Sequence, residues 1–223
     1  MIDVVLIEPE TLGNTGAVAR VMKNFGFKRL VLINPKCDHQ EEDALKRAKH
    51  AGELLKKARV LNELPEYDYI IGTTSKQCSD YNIPRSPITP VQLGERMSRI
   101  RGKKTAILFG RESSGLSNTE IGKCDFVVTI PSDKKYPAIN ISHAAAIILY
   151  ELSEGKGRTG IAMAGKKEKD ELMKSVRLRL DSMQFPTLEK KETQKKLWKR
   201  IIGKSMLTKR EAFALFGFFR RLR

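Results

Sequence analysis

The chain is poor in cysteine and lacks any long hydrophobic run. Its three cysteines, at positions 37, 78 and 124 of 223 residues, lie far apart and form no C-x-x-C pair. A disulfide scaffold or a zinc ribbon is therefore disfavoured, and a reducing, cytoplasmic environment is expected. No apolar run approaches the roughly 20 residues of a membrane-spanning helix. No basic segment precedes the apolar N-terminus, so we expect neither a signal peptide nor a membrane partner.

Several motifs of established chemistry are also missing. Residues 13–16 follow the first predicted strand but do not form G-x-G-x-x-G, and no G-x-x-x-x-G-K-[ST], H-E-x-x-H or G-x-S-x-G segment occurs. These absences argue against a standard dinucleotide fold, a P-loop, zinc hydrolysis and α/β-hydrolase chemistry. The three histidines are scattered, so no metal site is predicted.

The positive charge is high and unevenly distributed. The formal net charge is +16, of which residues 1–155 carry +3 and residues 156–223 carry +13. Such asymmetry indicates a polyanionic partner that is bound largely by the C-terminal part. Nucleic acid is the first candidate, and an anionic membrane surface or simple solubility are the alternatives.

Apolar and amphipathic segments alternate along residues 1–155, which predicts an α/β domain with a mainly parallel sheet. The predicted strands are residues 2–7, 30–33, 69–72, 105–109 and 126–130, and the predicted helices are residues 15–25, 41–58, 90–100 and 141–152. A capping box formed by Ser117 and Glu120 opens a further short helix.

The C-terminal part has a different pattern. Residues 156–166, which begin glycine-rich, predict a flexible linker, and residues 167–223 predict a small, basic, all-α extension that binds RNA. Its predicted helices are residues 168–183, residues 187–202 ended by Gly203, and residues 208–221 opened by a capping box. These helices are expected to bury little on their own, and so to pack on each other, on the main domain or on a second subunit.

Two features of the extension predict its contacts. Lys191, Lys195 and Lys199 fall at i, i+4 and i+8 on one helix face, where a phosphate backbone would relieve their mutual repulsion. Trp198 and the phenylalanines of the last helix are predicted to dock the extension on the main domain rather than to stack on bases.

Three loops place polar residues directly after predicted strands or before helices, where open α/β sheets bind ligands. They are residues 8–20, 108–116 and 130–142. Together they resemble the three motifs of the SPOUT methyltransferases, most closely the TrmJ/TrmH branch of RNA ribose 2′-O-methyltransferases. The first motif carries Asn14 and Arg20, and the third includes Asn140 and extends to Tyr150-Glu151. The resemblance covers about residues 1–153, and the basic extension is also similar to the TrmJ layout.

The resemblance implies a SPOUT-type parallel sheet with a deep C-terminal trefoil knot, S-adenosylmethionine as cofactor, and an obligate homodimer. The implied reaction transfers the cofactor's methyl group to a ribose 2′-oxygen of tRNA, in the anticodon loop at nucleotide 32. A methyltransferase for rRNA or another RNA, and a catalytically impaired dimeric RNA-binding protein, are the alternatives.

The resemblance also implies which residues form the site. Arg20 would stabilise the developing alkoxide and fix a neighbouring phosphate, because a guanidinium with a pKa above about 12 is a poor base. Asn14 would orient the substrate or Arg20, and Glu112 would pair with a positive group or hold the motif loops together. Asn140 would serve both catalysis and cofactor binding. The residues implied to bind the cofactor are Thr73, Thr74, Ser75, Gly110, Ile130, Ala138, Ile139 and Asn140. Ala138 departs from the family, which usually has serine there.

Overall fold

The strand-forming residues of the main domain are mostly apolar and β-branched, as is typical of strands covered on both faces of a parallel sheet. A computed structural model describes residues 1–75, 87–100, 102–154 and 162–222. The strands are β1 (Ile2–Ile7), β2 (Leu30–Ile33), β3 (Arg59–Leu61), β4 (Tyr69–Thr73), β5 (Thr105–Phe109) and β6 (Phe126–Val128). They form one sheet of order β3-β2-β1-β5-β4-β6 in which every pairing is parallel.

The predicted α/β class is therefore confirmed, and each predicted strand is present to within two residues at either end. β3 was missed because it has only three residues, of which two are exposed, so it carries no apolar pattern. Residues 155–161, which include most of the predicted linker, lie outside the described residues, as does Cys78. The trefoil knot stays a prediction.

The helices are α1 (Leu12–Asn24), α2 (Glu42–Ala48), α3 (Gly52–Lys56), α4 (Pro90–Arg99), α5 (Asn118–Lys123), α6 (Ile141–Glu154), α7 (Lys166–Ser182), α8 (Leu188–Lys204) and α9 (Lys209–Arg221). The capping boxes predicted at Ser117 and Thr208 are both formed. Among the described residues, no helix is long and apolar enough to cross a membrane.

The prediction of one long helix over residues 41–58 was wrong. Lys49 has a φ of 51°, outside the range of a right-handed helix, and a short 3₁₀ turn over Lys49–Ala51 separates α2 from α3. This break lets both short helices lie against α1. The periodic pattern of charged residues that predicted a single helix extends across the break. It therefore could not predict the change of direction.

Gly203 does not end α8 as predicted. The helix continues to Lys204, and Gly203 faces the backbone of Asp125, where an added Cβ would lie 3.1 Å from the Asp125 Cα. The missing side chain therefore lets α8 approach the start of β6 closely.

Apolar residues cover both faces of the sheet. On one face, α1, α4 and α6 bury side chains such as Val18, Leu93 and Ile148, and on the other, Tyr67 and Ile121 close a smaller cluster. This arrangement leaves the carboxyl ends of β4, β5 and β6 free to carry a site.

The helices of the extension bury more apolar side chains among themselves than predicted. Leu172, Val176, Leu180, Ile202 and Phe219 form a separate core between α7, α8 and α9. Trp198 packs edge-on against Phe219, with ring centroids 5.6 Å apart. Trp198, Phe216 and Phe219 therefore close the extension's own core, whereas Phe213 and Phe218 are exposed, and the prediction that these residues dock the extension on the main domain was wrong.

Polar contacts and the side chains of Met163 and Met206, which pack in the main core, attach the extension to the main domain. The Lys169 ammonium lies 3.1 Å from an Asp125 carboxylate oxygen and 3.6 Å from the centre of the Tyr69 ring. The Tyr69 hydroxyl donates to the Ala164 carbonyl over 3.0 Å. Burial lowers the pKa of Lys169 despite the attraction of Asp125, so this contact depends on close pairing.

The predicted lysine stripe of α8 has the expected spacing but is already engaged. Lys191 and Lys195 pair with Asp181 at 3.3 and 3.0 Å, and Lys199 donates to the Gly122 carbonyl over 2.9 Å. Two carboxylates that the sequence analysis did not assign therefore offset the charge of this stripe: Asp181 pairs with Lys191 and Lys195, and Glu192 pairs with Lys195 at 3.0 Å.

Candidate active site

A cavity of about 470 Å³ opens at the carboxyl ends of β4, β5 and β6. Its size is that of a small-molecule site. The residues predicted to bind a cofactor all line it: Thr73, Thr74, Ser75, Gly110, Ile130, Ala138, Ile139 and Asn140. Asn14 and Glu112 line it as well. The structure thus brings all three motif loops together at one end of the sheet.

Glu112 joins the first and second motif loops. Its carboxylate accepts hydrogen bonds from the Thr11 hydroxyl at 2.6 Å, the Glu10 amide at 2.9 Å and the Asn14 side-chain amide at 3.2 Å. The Glu10 carboxylate reciprocates by accepting from the amide and hydroxyl of Ser113, at 3.0 and 2.7 Å. Glu112 therefore holds the loops together and makes no ion pair within the described part of the chain.

The hydrogen bonds also set the charge of Glu112. Partial burial alone would raise the pKa of this carboxyl group, but the donors from Thr11, Glu10 and Asn14 together hold the pKa below its ordinary value. Glu112 is consequently ionised at neutral pH. An anion is thus fixed at the edge of the cavity.

Asn140 joins the third motif loop to the first. Its side-chain amide donates to the Asn14 side-chain carbonyl over 3.0 Å. Its own carbonyl accepts from the amide and hydroxyl of Ser142, at 2.9 and 2.7 Å. Donors and acceptors thus run in one direction from Ser142 through both asparagines to Glu112. Ser142 orients Asn140 and does not substitute for a hydroxyl at position 138.

Arg111 is a structural residue that the sequence analysis did not assign. Its guanidinium pairs with Glu120 through two hydrogen bonds of 3.1 Å and with Glu8 at 2.9 Å. The hydrogen bond from Arg111 lowers the pKa of Glu8. Arg111 therefore ties the second motif loop to the end of β1 and to α5, and it does not pair with the adjacent Glu112. Its position in the loop that directly follows β5 was the only signal of this role.

Arg20 does not line the cavity. It is exposed on α1, six residues beyond Asn14, which turns its side chain about 240° around the helix from that of Asn14. It lines two other depressions, which it shares with Lys49, and one of them also includes Arg47. Within one chain, the structure brings together Asn14, Glu112 and Asn140 but leaves Arg20 on a separate basic surface.

Across the described ranges, no group of three histidine, cysteine, aspartate or glutamate side chains is placed to hold a metal ion. The polar groups at the cavity are mainly amides, hydroxyls and backbone groups. Such groups suit a neutral or zwitterionic organic ligand.

The fold and the cavity define a parallel α/β protein of the SPOUT type. The solved structure of TrmJ from Z. mobilis ZM4 superimposes with a TM-score of 0.72 over 100% of this chain and 99% of that one, at 24% sequence identity. At that identity the likeness establishes the fold alone.

Sequence comparison identifies the family. Residues 1–150 match the SpoU rRNA Methylase family, and the chain belongs to it. It is 37% identical to the tRNA (cytidine-2′-O-)-methyltransferase TrmJ of Methanocaldococcus jannaschii, over 99% of both chains. It is also 40% identical to the protein of the same name from Sulfolobus acidocaldarius, over 68% of this chain and 64% of that one.

Proposed function

We propose that this protein is an S-adenosylmethionine-dependent tRNA ribose 2′-O-methyltransferase. The observation that carries the proposal is the single cavity built from all three motif loops. The similarity to tRNA 2′-O-methyltransferases along nearly the whole chain supports the choice of tRNA over rRNA. We further propose the anticodon loop, at nucleotide 32, as the target, a cytoplasmic location, and a trefoil knot around the cofactor site.

The cavity residues fit the proposed cofactor. Ile130, Ile139 and Leu116 supply apolar walls suited to an adenine ring, and residues 73–75 supply hydroxyl and backbone groups suited to its polar substituents. The ionised Glu112 lies at the same cavity, where a carboxylate favours a cationic ligand. When bound, S-adenosylmethionine supplies the electrophilic methyl group.

The residues of the chain would position the substrate and stabilise charge. The fixed direction of the Asn140–Asn14–Glu112 hydrogen bonds holds the cavity edge in one arrangement before RNA arrives. Arg20 would stabilise the negative charge that develops on the ribose oxygen and bind an adjacent phosphate, remaining protonated throughout. Ala138 offers no hydroxyl for substrate orientation, so this task falls to the asparagines.

Arg20 can serve the cavity only if a second subunit supplies it. We therefore propose a homodimer in which Arg20 of one protomer reaches the cavity of its partner. α6 exposes a stripe that includes Ile147, 39% exposed, and Tyr150, 48% exposed, and this helix packs beside α1, which carries Arg20. A second copy would cover the apolar stripe and bring its own α1 near the cavity.

The reaction is tested with total tRNA and labelled S-adenosylmethionine. Nuclease mapping and mass spectrometry should find one 2′-O-methylated nucleotide in the anticodon loop. Methylation confined to rRNA would support the first alternative. Cofactor and tRNA binding without methyl transfer would support an impaired RNA-binding protein.

The shared site is tested with two inactive variants. Arg20→Ala removes the proposed cation, and Ala138→Trp fills the cavity at an exposed position. If Arg20 acts across the dimer, mixing the two variants forms heterodimers with one intact site and restores roughly a quarter of the wild-type activity. If it acts within its own chain, no mixture regains activity.

We also propose that residues 1–155 form the methyltransferase domain and that residues 167–223 form its RNA-binding extension. The net charge of +13 over residues 156–223 supports this division, as does the separate core of α7, α8 and α9. Several basic side chains of the extension make no ion pair with any described residue, and they lie together on one part of its surface.

A further inference from the structure

A second cavity, of about 430 Å³, lies between α8 and the edge of the sheet at β6. It shares no lining residue with the cavity at the motif loops. Its α8 side carries four cationic residues: Lys196, Lys199, Arg200 and Lys204. Its other side is formed by α5 and by the residues that lead into β6.

The carboxylate that lines this cavity already has a cationic partner. Asp125 is the one carboxylate among the described residues that line it. It pairs with Lys169 at 3.1 Å and accepts a hydrogen bond from the Ile70 amide at 2.9 Å. Burial raises the pKa of the nearby Cys124 thiol to about 12, so this thiol is neutral. Among the described residues, Lys196, Lys199 and Lys204 therefore give the cavity a surplus of positive charge.

The cationic residues form a stripe of their own on α8. Lys196, Arg200 and Lys204 stand at i, i+4 and i+8, beside the stripe that Asp181 compensates. Lys196 and Lys204 make no ion pair within the described part of the chain. One helix thus carries a lysine stripe paired with Asp181 and, beside it, two lysines, Lys196 and Lys204, without an ion pair among the described residues.

Lys204 is the most constrained of these cations. It is half-buried, and the Arg96 guanidinium of α4 donates to its backbone carbonyl over 3.3 Å. Burial, together with the positive charges of Arg200 and Arg96, lowers the pKa of Lys204 to about 8. An anion in the cavity would relieve this repulsion and favour the protonated lysine.

We propose that this cavity binds a phosphate group of the RNA backbone, at a distance from the methylated ribose. The inference rests on the proposed function, because it takes the phosphate to belong to the tRNA substrate. Lys196 and Lys199 are exposed and would meet the strand, while Lys204 lies deeper and would hold one phosphate. The contact is electrostatic, so it adds affinity and register without reading sequence.

Two double variants of the full-length protein test the proposal. Lys196→Met/Lys204→Met removes two charges from the cavity, and Lys191→Met/Lys195→Met removes two charges from the compensated stripe of the same helix. The cavity variant should bind tRNA at least about fivefold more weakly at low salt. For this variant, the slope of the logarithm of the association constant against the logarithm of the salt concentration should be less negative by about 1. The control should stay within about twofold of wild type, and both should bind S-adenosylmethionine normally. Equal losses in the two variants would overturn the proposal.

A second measurement separates this proposal from the proposed function. With lysine side chains labelled for NMR, the pKa of Lys204 should rise when inorganic phosphate is added, and should rise again with tRNA. A wild-type protein that binds no tRNA would overturn the proposed function, and the phosphate titration would then still test the cavity. If neither phosphate nor tRNA changes the pKa of Lys204, the proposal that this cavity binds phosphate is overturned. A response to phosphate with unaltered tRNA binding in the cavity variant would overturn its assignment to RNA.

Discussion

The Asn140 side-chain amide donates to the Asn14 side-chain carbonyl over 3.0 Å, although the two residues are 126 positions apart. Through Asn14 the same chain of hydrogen bonds continues to Glu112. The site edge therefore has one preferred orientation of its amides, because an ionised carboxylate at one end accepts only donors.

Replacing Asn14 with aspartate should exchange the side-chain amide that donates to Glu112 for a carboxylate that repels Glu112. Asn14→Asp sets a carboxylate about 3.2 Å from a Glu112 oxygen, and we expect a loss of about 1–2 kcal/mol in the free energy of unfolding at pH 7. Repulsion raises the pKa of the carboxyl pair in the folded state, so the deficit should shrink as the pH falls and a proton is taken up. Urea unfolding at pH 7 and at pH 5 measures the loss in the free energy of unfolding at each pH.

The matched control is the double variant Asn14→Asp/Glu112→Gln, which restores a single negative charge. It should recover most of the stability that Asn14→Asp loses at pH 7. A deficit in Asn14→Asp that is independent of pH would contradict the repulsion argument.

Arg20→Ala should lower the methyl-transfer rate at least about a hundredfold, the usual effect of removing a group that stabilises charge in the transition state. Cofactor affinity should change by no more than a few-fold, since Arg20 does not line the cavity. Single-turnover methylation of tRNA and calorimetric titration with S-adenosylmethionine measure the two effects. Lys46→Ala is the control, because Lys46 also lies at this basic surface and already pairs with Glu42 at 3.0 Å. Near-normal turnover by Arg20→Ala would remove Arg20 from the mechanism.

Gly16→Ala should separate α1 from α2. An added Cβ would lie 2.2 Å from the Ala44 carbonyl oxygen, a backbone atom that cannot move alone. We expect a loss of at least about 2 kcal/mol in the free energy of unfolding, measured by urea titration. Gly13→Ala, three residues earlier, would place its Cβ 3.8 Å from a flexible Arg47 side chain and should leave stability nearly unchanged. Similar effects from both substitutions would refute the close packing of the two helices.

Lys169→Met should weaken the attachment of the extension. It leaves the mostly buried Asp125 carboxylate without its cation, which should lower the free energy of unfolding by about 2 kcal/mol. Lys166→Met, on the same helix, removes a lysine paired with the exposed Glu66 and should change stability by less than about 0.5 kcal/mol. Thermal and urea unfolding of the two variants test the difference, and a larger effect at position 166 would contradict it.

Removal of residues 156–223 should destabilise the main domain as well as weaken tRNA binding. The deletion exposes Tyr69 and Asp125, and it removes Met163 and Met206, which pack in the main core. Sequence patterns alone predict that the fragment still folds, dimerises and binds the cofactor. The docked structure predicts a clearly lower melting temperature by calorimetry. A fragment that melts like the full chain would show that the docking contributes little.

The residue pattern predicted most of the fold because strand and helix patterns are local. β1, β2 and β5 match their predicted ranges, since each is a mostly apolar run that is followed closely by proline or glycine. The pattern failed where the determining contact is distant. Lys49 breaks a charged helix that then packs on α1, and Gly203 lies inside α8, where Asp125 leaves no room for a side chain.

The sequence by itself determined the α/β class, the basic extension and the membership of eight predicted site residues in three motif loops. Only the tertiary structure decided how those residues meet. It joined Asn14, Glu112 and Asn140 by hydrogen bonds and left Arg20 on another surface. It also paired one basic stripe of α8 with Asp181, whereas Lys196 and Lys204 beside it make no ion pair with any described residue. Charge and spacing are properties of the sequence. Whether a charge is compensated depends on which side chains from distant segments reach it, and packing alone settles that.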